Sequence, residues 1–211
     1  LLRQKRFELA KDILTEALEG RRRVYSNHHL YVTNTANALA AVHYDLGEFQ
    51  EAESIWKERI PILEETLSES HLYVVTFRVN MSYAALRGGR IAEAKEGFQT
   101  IVDRFKDGDV GYLINGKEGL AEVASARNNW AQAESLYRET IVLREENLGK
   151  GHGQFAQGPL AEALYFQGKL DEAETIIRKL VSETSSSNPN FSTRKALLEL
   201  IRTAREEASS P

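Results

Sequence analysis

The sequence lacks several features on which common functions depend. It contains no cysteine and only four prolines among 211 residues. The absence of cysteine excludes disulfide frameworks, cysteine nucleophiles, iron–sulfur clusters and cysteine-ligated zinc. No apolar run approaches the roughly 20 residues that span a bilayer, and the first residues do not have the order of a signal peptide. We therefore expect no membrane insertion and a cytoplasmic location.

The sequence also lacks a large excess of charge of either sign. Lys and Arg number 27 against 31 Asp and Glu, which gives a formal net charge of −4. A dedicated nucleic-acid binder is normally strongly basic, so we expect no nucleic-acid partner. Residues 1–23 carry seven basic and four acidic side chains, but the run Arg21-Arg22-Arg23 is typical of a helix C-terminus, where cations complement the helix dipole.

What the sequence does contain is an internal repeat. The segment FELAKDILTEAL from Phe7 aligns with FQEAESIWKERI from Phe49 at an offset of 42 residues, and Leu30-Tyr31-Val32 recurs as Leu72-Tyr73-Val74 at the same offset. Further copies of the first segment begin at Ile91, Trp130 and Leu170. A period of this length indicates an array of stacked supersecondary units.

Small residues and turn residues predict what each unit is. A small residue in a leucine-led segment is followed twelve positions later by an alanine, in the pairs Ala40/Ala52, Ser82/Ala94, Ala121/Ala133 and Ala161/Ala173. Between the members of each pair lies a residue that tolerates the left-handed conformation ending a helix: Gly47, Gly89, Asn128 or Gly168. The unit is therefore predicted to be helix, turn, helix.

The apolar pattern agrees with two packed helices. In the second helix Ala52, Ile55, Trp56 and Ile60 form one apolar stripe with charged residues between them, and no strand-like alternation competes. We predict an all-α fold, a right-handed superhelical solenoid of antiparallel helix pairs with a C-terminal capping helix. The predicted divisions are the end of a leading repeat that opens partway through (1–28), four repeats (29–70, 71–108, 109–151 and 152–187) and a capping helix with tail (188–211).

These residues resemble tetratricopeptide repeats. The 42-residue period and the segment REENLGKGHG resemble the kinesin-light-chain subtype, whose second helix typically ends in Leu-Gly followed by Asp-His-Pro. Leu148-Gly149 and His152 match this ending, as do His29 and His71, whereas the aspartate and proline are absent. The resemblance covers about residues 1–184 and implies non-catalytic binding of a protein or peptide. It also implies that Asn80 stands where family members often place a peptide-holding asparagine.

Two departures from the repeat carry structural expectations. Because proline is tolerated in the first turn of a helix but not in its interior, we expect the helix before Gly168 to start near Pro159 or to kink there. At the C-terminus, Leu197, Leu198 and Ile201 predict one apolar side of a capping helix. Its polar outer face would be formed by Arg194, Lys195, Arg202, Arg205, Glu206 and Glu207.

The sequence contains no residue pattern typical of a catalytic or metal site. The five histidines do not have ligand spacing, and three of them share one position between repeats, which favours a structural role. Gly149-Lys150-Gly151-His152-Gly153 lacks the ending of a phosphate-binding loop, and no nucleophile turn is present. We expect no enzyme activity, no cofactor and no metal.

Binding residues are predicted from the helical register. In stacked repeats the first helix of each pair lines the concave face, so positions were counted from its small residue. The candidate groove residues are Asn34, Asn37, Tyr44, Thr76, Asn80, Tyr83, Arg87, Asn115, Glu118, Glu122 and Tyr165, with Asp45, Ser125, Glu162 and Phe166 beside them. Asparagine pairs with a peptide backbone of any sequence, and Arg87 suits an acidic ligand side chain.

Three other hypotheses remain open at this level. The chain is alternatively a sensor or regulatory segment of a larger signalling ATPase or kinase. An enzyme would require a groove acid such as Glu118 or Glu122 to act in catalysis. Self-association into a homo-oligomer would use the N-terminal repeat edge, with its stripe of Phe7, Ile13, Leu14, Ala17 and Leu18.

Overall fold

The computed structural model describes residues 2–209, and the side chains of residues 4–208. Within this range the chain is all-helical. The helices are α1 (Leu2–Val24), α2 (Leu30–Leu46), α3 (Phe49–Glu64), α4 (Leu72–Arg87), α5 (Ile91–Phe105), α6 (Val110–Ala126), α7 (Trp130–Leu148), α8 (Gln154–Phe166), α9 (Leu170–Glu183) and α10 (Phe191–Ser209).

The chain divides into two compact units. Unit 1 spans Leu1–Arg104 and unit 2 spans Phe105–Pro211. Within each unit, helices consecutive in sequence pack against one another through short connections, as in antiparallel helix pairs. This is the packing of an α-solenoid, so the all-α helix-pair fold predicted from the repeat is confirmed.

Unit 1 has its core between the stripes of neighbouring helices. Trp56 and Leu63 of α3 pack with Val74, Phe77 and the small residues of α2 and α4. A second cluster joins Leu14 and Leu18 of α1 to Val32, Ala36 and Leu39 of α2. The N-terminal stripe is therefore largely used inside unit 1, and of its five members only Ile13 is exposed.

Unit 2 has one continuous core. Tyr137 of α7 and Leu160 and Leu164 of α8 pack with Ile177 and Leu180 of α9. Leu198 and Ile201 of α10 complete this cluster, and Leu197 packs against it. The predicted apolar side of the C-terminal helix is thus buried on α8 and α9.

The predicted turn residues adopt the left-handed conformation. Gly47, Gly89 and Gly168 have φ angles of 82°, 80° and 73°, and Asn128 is the non-glycine residue with positive φ in the described chain, at 56°. Close helix contact is clearest in unit 1, where a Cβ atom on Gly97 of α5 would lie 3.2 Å from Cβ of Ser82 on α4 and would overlap its hydroxyl oxygen.

The recurring histidines have a local role that differs between copies. Nδ1 of His29 accepts a hydrogen bond from the backbone N–H of Tyr31 at 3.1 Å, and His71 does the same for Tyr73 at 3.3 Å. Both are N-caps, and their side chains satisfy an amide that the helix leaves without a partner. Asp109 caps α6 in the same way. His152 does not repeat this cap, because Gly153 is the N-cap of α8 and makes no side-chain cap hydrogen bond.

Helix α8 also departs from expectation at its proline. It begins at Gln154, five residues before Pro159, which lies inside the helix. Of the two alternatives, a start near Pro159 is therefore wrong, whereas a kink at Pro159 stays a prediction. The backbone is already helical one residue before Gln154, since Gly153 has φ −62° and ψ −22°.

A charged residue of α3 is more deeply buried than the neighbouring apolar residue that the helical pattern had predicted to be buried. Ile60 is half-buried, whereas the neighbouring Arg59 is fully buried and anchors the segment before α2. Its Nη2 donates to the carbonyl oxygen of Asn27 at 2.5 Å and to Oγ1 of Thr33 at 2.9 Å. Burial lowers the pKa of this guanidinium from its ordinary value.

A carboxylate after the small alanine of three second helices forms ion pairs along each unit. Glu53 pairs with Arg90, Glu134 with Lys169 at 2.6 Å, and Glu174 with Arg205. Arg205 also bonds Asp171 at 2.8 Å. The outer face predicted for α10 is therefore partly engaged in holding that helix to α9.

Candidate partner-binding surfaces

The predicted binding residues of unit 1 lie on α2 and α4, and most remain accessible. Asn34 and Arg87 are exposed, and Thr76 and Asn80 are half-buried. Tyr44 makes an edge contact with Phe49, at 5.3 Å between ring centroids, and Tyr83 makes one with Phe98 at 4.8 Å. These contacts fix the aromatic rings on their own helix pair. We call Asn34, Tyr44, Thr76, Asn80, Tyr83 and Arg87 the unit 1 surface.

Asn37 is engaged inside its own repeat. Its Oδ1 accepts a hydrogen bond of 2.8 Å from Nε1 of Trp56, an indole that is 2% exposed. A buried indole N–H requires an acceptor. The Asn37 amide oxygen therefore has a packing role that the helical register did not indicate.

In unit 2 the structure brings two predicted residues into one cleft. Glu118 and Glu122 of α6 line a cavity of about 380 Å³ together with residues of α7 and α8. The remaining lining residues are Tyr137, Arg144, Phe155, Ala156 and Pro159. We call this set the unit 2 cleft.

An ion pair organises the cleft. Arg144 donates from Nε to Oε1 of Glu118 at 2.8 Å and from Nη2 to Oε2 at 2.7 Å. Both side chains are mostly buried, with 16% and 19% exposure. The same guanidinium lies over the ring of Phe155, 5.6 Å from its centroid, in the geometry of a cation–π contact. Phe155 itself remains 63% exposed.

The carboxylates of the cleft affect the pKa of Tyr137, which lies at its floor. Burial, followed by the charges of Glu122, Glu162 and Glu118, raises the pKa of the Tyr137 hydroxyl to about 12, although a hydrogen bond with Ser125 acts in the opposite direction. Three carboxylates therefore contribute, after burial, to the raised pKa of one hydroxyl group.

The other predicted residues of unit 2 lie outside the cleft lining. Asn115 is half-buried on α6, and Glu162 is exposed on α8. Tyr165 packs against Phe166, at 5.2 Å between ring centroids. Phe166 in turn stacks on Trp130 at 4.3 Å and 14°, and is 52% exposed.

Five lining residues, Ala156 among them, were missed by the sequence prediction. Phe155 and Pro159 occupy the same register as Thr76 and Asn80, so the register rule itself could have selected them. Tyr137 and Arg144 belong to a second helix, which the rule did not consider. The signal for Arg144 is that it stands where the preceding second helices have Leu63 and Phe105, both buried.

Two classes of site are absent from the part of the chain that the structure describes. No group of three His, Asp or Glu side chains is placed to hold a metal ion among those residues. Over the same residues, no helix combines the length and the apolar composition needed to cross a bilayer.

Comparison with known families identifies the repeat. Models described as tetratricopeptide repeat match residues 1–65, 118–153 and 154–179. The chain belongs to the tetratricopeptide repeat family. None of the curated proteins matches the sequence significantly.

Solved structures show the same fold at low sequence identity. BtubC (BKLC) from P. vanneervenii is 17% identical with a TM-score of 0.75, over 95% of this chain and 84% of that one. A putative kinesin light chain from Podosopora anserina with nearly identical TPR-like repeats is 18% identical, with a TM-score of 0.67 over 85% and 88% of the two chains. A tetratricopeptide repeat protein from Parabacteroides merdae has a TM-score of 0.69 at 16% identity, over 97% of this chain and 68% of that one. The fold is therefore that of structures with kinesin-light-chain-like repeats, as the resemblance implied.

Proposed function

We propose that this protein is a non-catalytic interaction module that binds an extended segment of a partner protein on its first-helix surfaces. The tetratricopeptide fold supports a protein-interaction scaffold in general. The finer assignment concerns where binding occurs and in which conformation the partner binds.

The observation that carries the proposal is the unit 2 cleft. Its two glutamates, its exposed Phe155 ring and its floor at Tyr137 come from three successive helices. Concave sites that combine apolar walls with a few polar groups are the usual binding sites of proteins. The unit 1 surface adds amide and hydroxyl groups that can pair with peptide backbone.

Peptide selection tests the proposal. Phage-displayed random peptides would be selected on the full chain, and the enriched peptides would be measured by fluorescence anisotropy. We expect Phe155→Ala in the unit 2 cleft, or Asn80→Ala, Tyr83→Ala and Arg87→Glu together on the unit 1 surface, to weaken the enriched peptides by at least about tenfold, which corresponds to roughly 1.4 kcal/mol.

The matched control changes exposed residues of the second helices in unit 1. Gln50→Ala, Lys57→Glu and Lys95→Ala are all exposed positions of α3 and α5. This triple variant should bind as the wild type does. If no peptide is enriched, or if the control variant loses the same affinity, the assignment to first-helix surfaces is wrong.

Self-association is a second candidate, favoured by one observation on α1. Leu9 and Ile13 are 61% and 58% exposed and lie four residues apart on one helix face. Sedimentation equilibrium over a hundredfold range of concentration tests it. A mass that stays monomeric throughout would exclude this candidate.

A further inference from the structure

Four exposed side chains form one line along helix α1. Lys5, Leu9, Ile13 and Glu16 follow one another at spacings of four, four and three residues, which places them on one face of a helix. All four are exposed, and the two apolar side chains at the centre are 61% and 58% exposed. We call these four residues the α1 stripe. It has an apolar centre, a cation toward one end and an anion toward the other.

The packing of unit 1 does not use the α1 stripe. The side chains of α1 that join the core cluster with α2 are Leu14 and Leu18. Among the side chains that the structure describes, none forms an ion pair with Lys5 or with Glu16. The apolar surface and both charges of the stripe are therefore available to a second molecule.

The order of residues in the stripe is self-complementary. In an antiparallel pairing of two α1 helices, centred midway between Leu9 and Ile13, each of these side chains lies opposite the other one of the second copy. At 1.5 Å per residue, Lys5 lies about 9 Å to one side of this centre and Glu16 about 7.5 Å to the other. The cation of each copy is then level, to within one residue, with the anion of the other copy.

Other occupants of the stripe match its charges less well. In a parallel pairing of two copies, Lys5 would face Lys5 and Glu16 would face Glu16, and like charges brought together disfavour a complex. A partner segment with charge of one sign would likewise meet a like charge at one end. A second copy in the antiparallel orientation supplies opposite charges at both ends, because a twofold axis repeats the contact.

We infer that this protein forms an antiparallel dimer through α1, in which Leu9 packs on Ile13 of the second copy and Lys5 pairs with Glu16 of the second copy. The inference rests on the self-association candidate of the proposed function, and it specifies the surface, the orientation and the register of the two copies. Two apolar side chains from each copy bury less area than a stable dimer needs, so we expect a dissociation constant in the micromolar range.

Sedimentation equilibrium of the full chain, over a hundredfold range of micromolar concentrations, tests the inference. We expect a monomer–dimer equilibrium that weakens at high salt, because exposed charges are screened. Lys5→Glu or Glu16→Lys alone should weaken the dimer at least about fivefold, since each change brings like charges together twice. The double variant should return to within about twofold of the wild type, because its charges are complementary again. Ile13→Glu should weaken the dimer at least about tenfold, because it places a charge in the apolar centre.

The matched control makes the same charge changes on α5. Lys95→Glu and Glu96→Lys alter exposed residues and should leave the dissociation constant unchanged. Equal weakening by these control variants would refute the assignment to α1. Circular dichroism of every variant checks that the helical fold is retained.

The possible outcomes separate the orientation from self-association itself. A dimer that the Lys5 and Glu16 variants leave unchanged would overturn the antiparallel pairing, while self-association stands. A chain that stays monomeric throughout would contradict both, without affecting the peptide-binding proposal. If Ile13→Glu abolished binding of the selected peptides but not dimerisation, the stripe would bind a partner protein and the second-copy inference would be wrong.

Discussion

Arg144 of α7 forms a bidentate ion pair with Glu118 of α6. The position of Arg144 in its helix is held in unit 1 by a buried apolar residue. The pair joins the two helices of one repeat and forms one wall of the unit 2 cleft. The contribution of this ion pair to the stability of the fold can be tested by substitution, because the equivalent position of α3 already holds an apolar residue, Leu63.

Removal of one partner of this pair should destabilise the fold. Glu118→Ala leaves the guanidinium in a site where it is 16% exposed, so we expect a loss of about 1–3 kcal/mol in the free energy of unfolding, measured by urea denaturation. Replacement of both partners, Glu118→Leu with Arg144→Leu, leaves no unpaired charge and should stay within about 1 kcal/mol of the wild type.

An ion pair with one exposed partner on the same helices serves as the control. Lys117, which is 21% exposed, bonds Glu139, which is 49% exposed, at 2.7 Å. Lys117→Ala should change stability by no more than about 0.5 kcal/mol. If both alanine variants lose the same amount, the buried pair is not the special contact that the structure indicates.

The contact between Gly97 and Ser82 predicts a steric penalty. A methyl group on Gly97 would overlap the serine hydroxyl oxygen, so Gly97→Ala should lower the free energy of unfolding by about 1–3 kcal/mol. The same substitution should cost less in a Ser82→Ala background, where the hydroxyl is absent.

Gly20→Ala is the control, since nothing lies within 4 Å of its added methyl group, and there alanine should stabilise the helix by about 0.5–1 kcal/mol. A Gly97→Ala variant as stable as the wild type would contradict the close approach of α4 and α5.

Glu134 predicts a dependence of stability on acid pH. Burial alone would raise the pKa of this carboxyl, but hydrogen bonds from Lys169, Gln167 and Arg138 outweigh it and lower the pKa to about 2 from its ordinary value of 4.5. The folded pKa lies below the unfolded one, so the stabilisation is present above pH 4.5 and is lost as the pH falls toward 2.

The effect can be measured by comparing wild type and Glu134→Gln. Because Lys169 is about half exposed, at 47%, we expect Glu134 to contribute about 1 kcal/mol at neutral pH. Urea denaturation at several pH values should show the two proteins converging in acid. A constant difference between them across this range would show that the Glu134 carboxylate does not stabilise the fold through its charge.

The histidine N-caps predict a difference between copies of the repeat. His71→Ala removes the acceptor for the Tyr73 amide and should cost about 0.5–1 kcal/mol. His71→Asp should retain the cap, as Asp109 does for α6. His152→Ala should have no effect because His152 caps no helix. Hydrogen exchange of the first-turn amides in α4 and α8 provides the measurement, and equal acceleration in the two alanine variants would refute the assignment.

Much of the fold could be predicted because its signals are local. The turn residues Gly47 and Gly168 mark helix ends, since few residues tolerate a positive φ. Recurring small residues mark where helices approach, and the 3.6-residue period of apolar positions marks the buried face. These features depend on neighbours within a few residues, so the repeat alone carried them.

The candidate sites were less predictable because they depend on contacts between helices. Asn37 satisfied the register rule, yet its amide oxygen accepts from Trp56, nineteen residues away. Arg144 was not selected, yet it reaches Glu118 across 26 residues. A side chain's register on one helix does not say whether a neighbouring helix supplies a partner for it.

The sequence by itself determined the repeat, the helix-turn-helix unit and the absence of cysteine chemistry, because periodicity and composition do not depend on how helices meet. The tertiary structure decided which polar groups form hydrogen bonds or ion pairs within the fold and which line a surface. It placed Pro159 inside a helix, engaged Arg205 with Glu174, and brought Glu118, Glu122 and Phe155 around one cleft. Those outcomes depend on distances between atoms far apart in the chain, and only the packed helices set these distances.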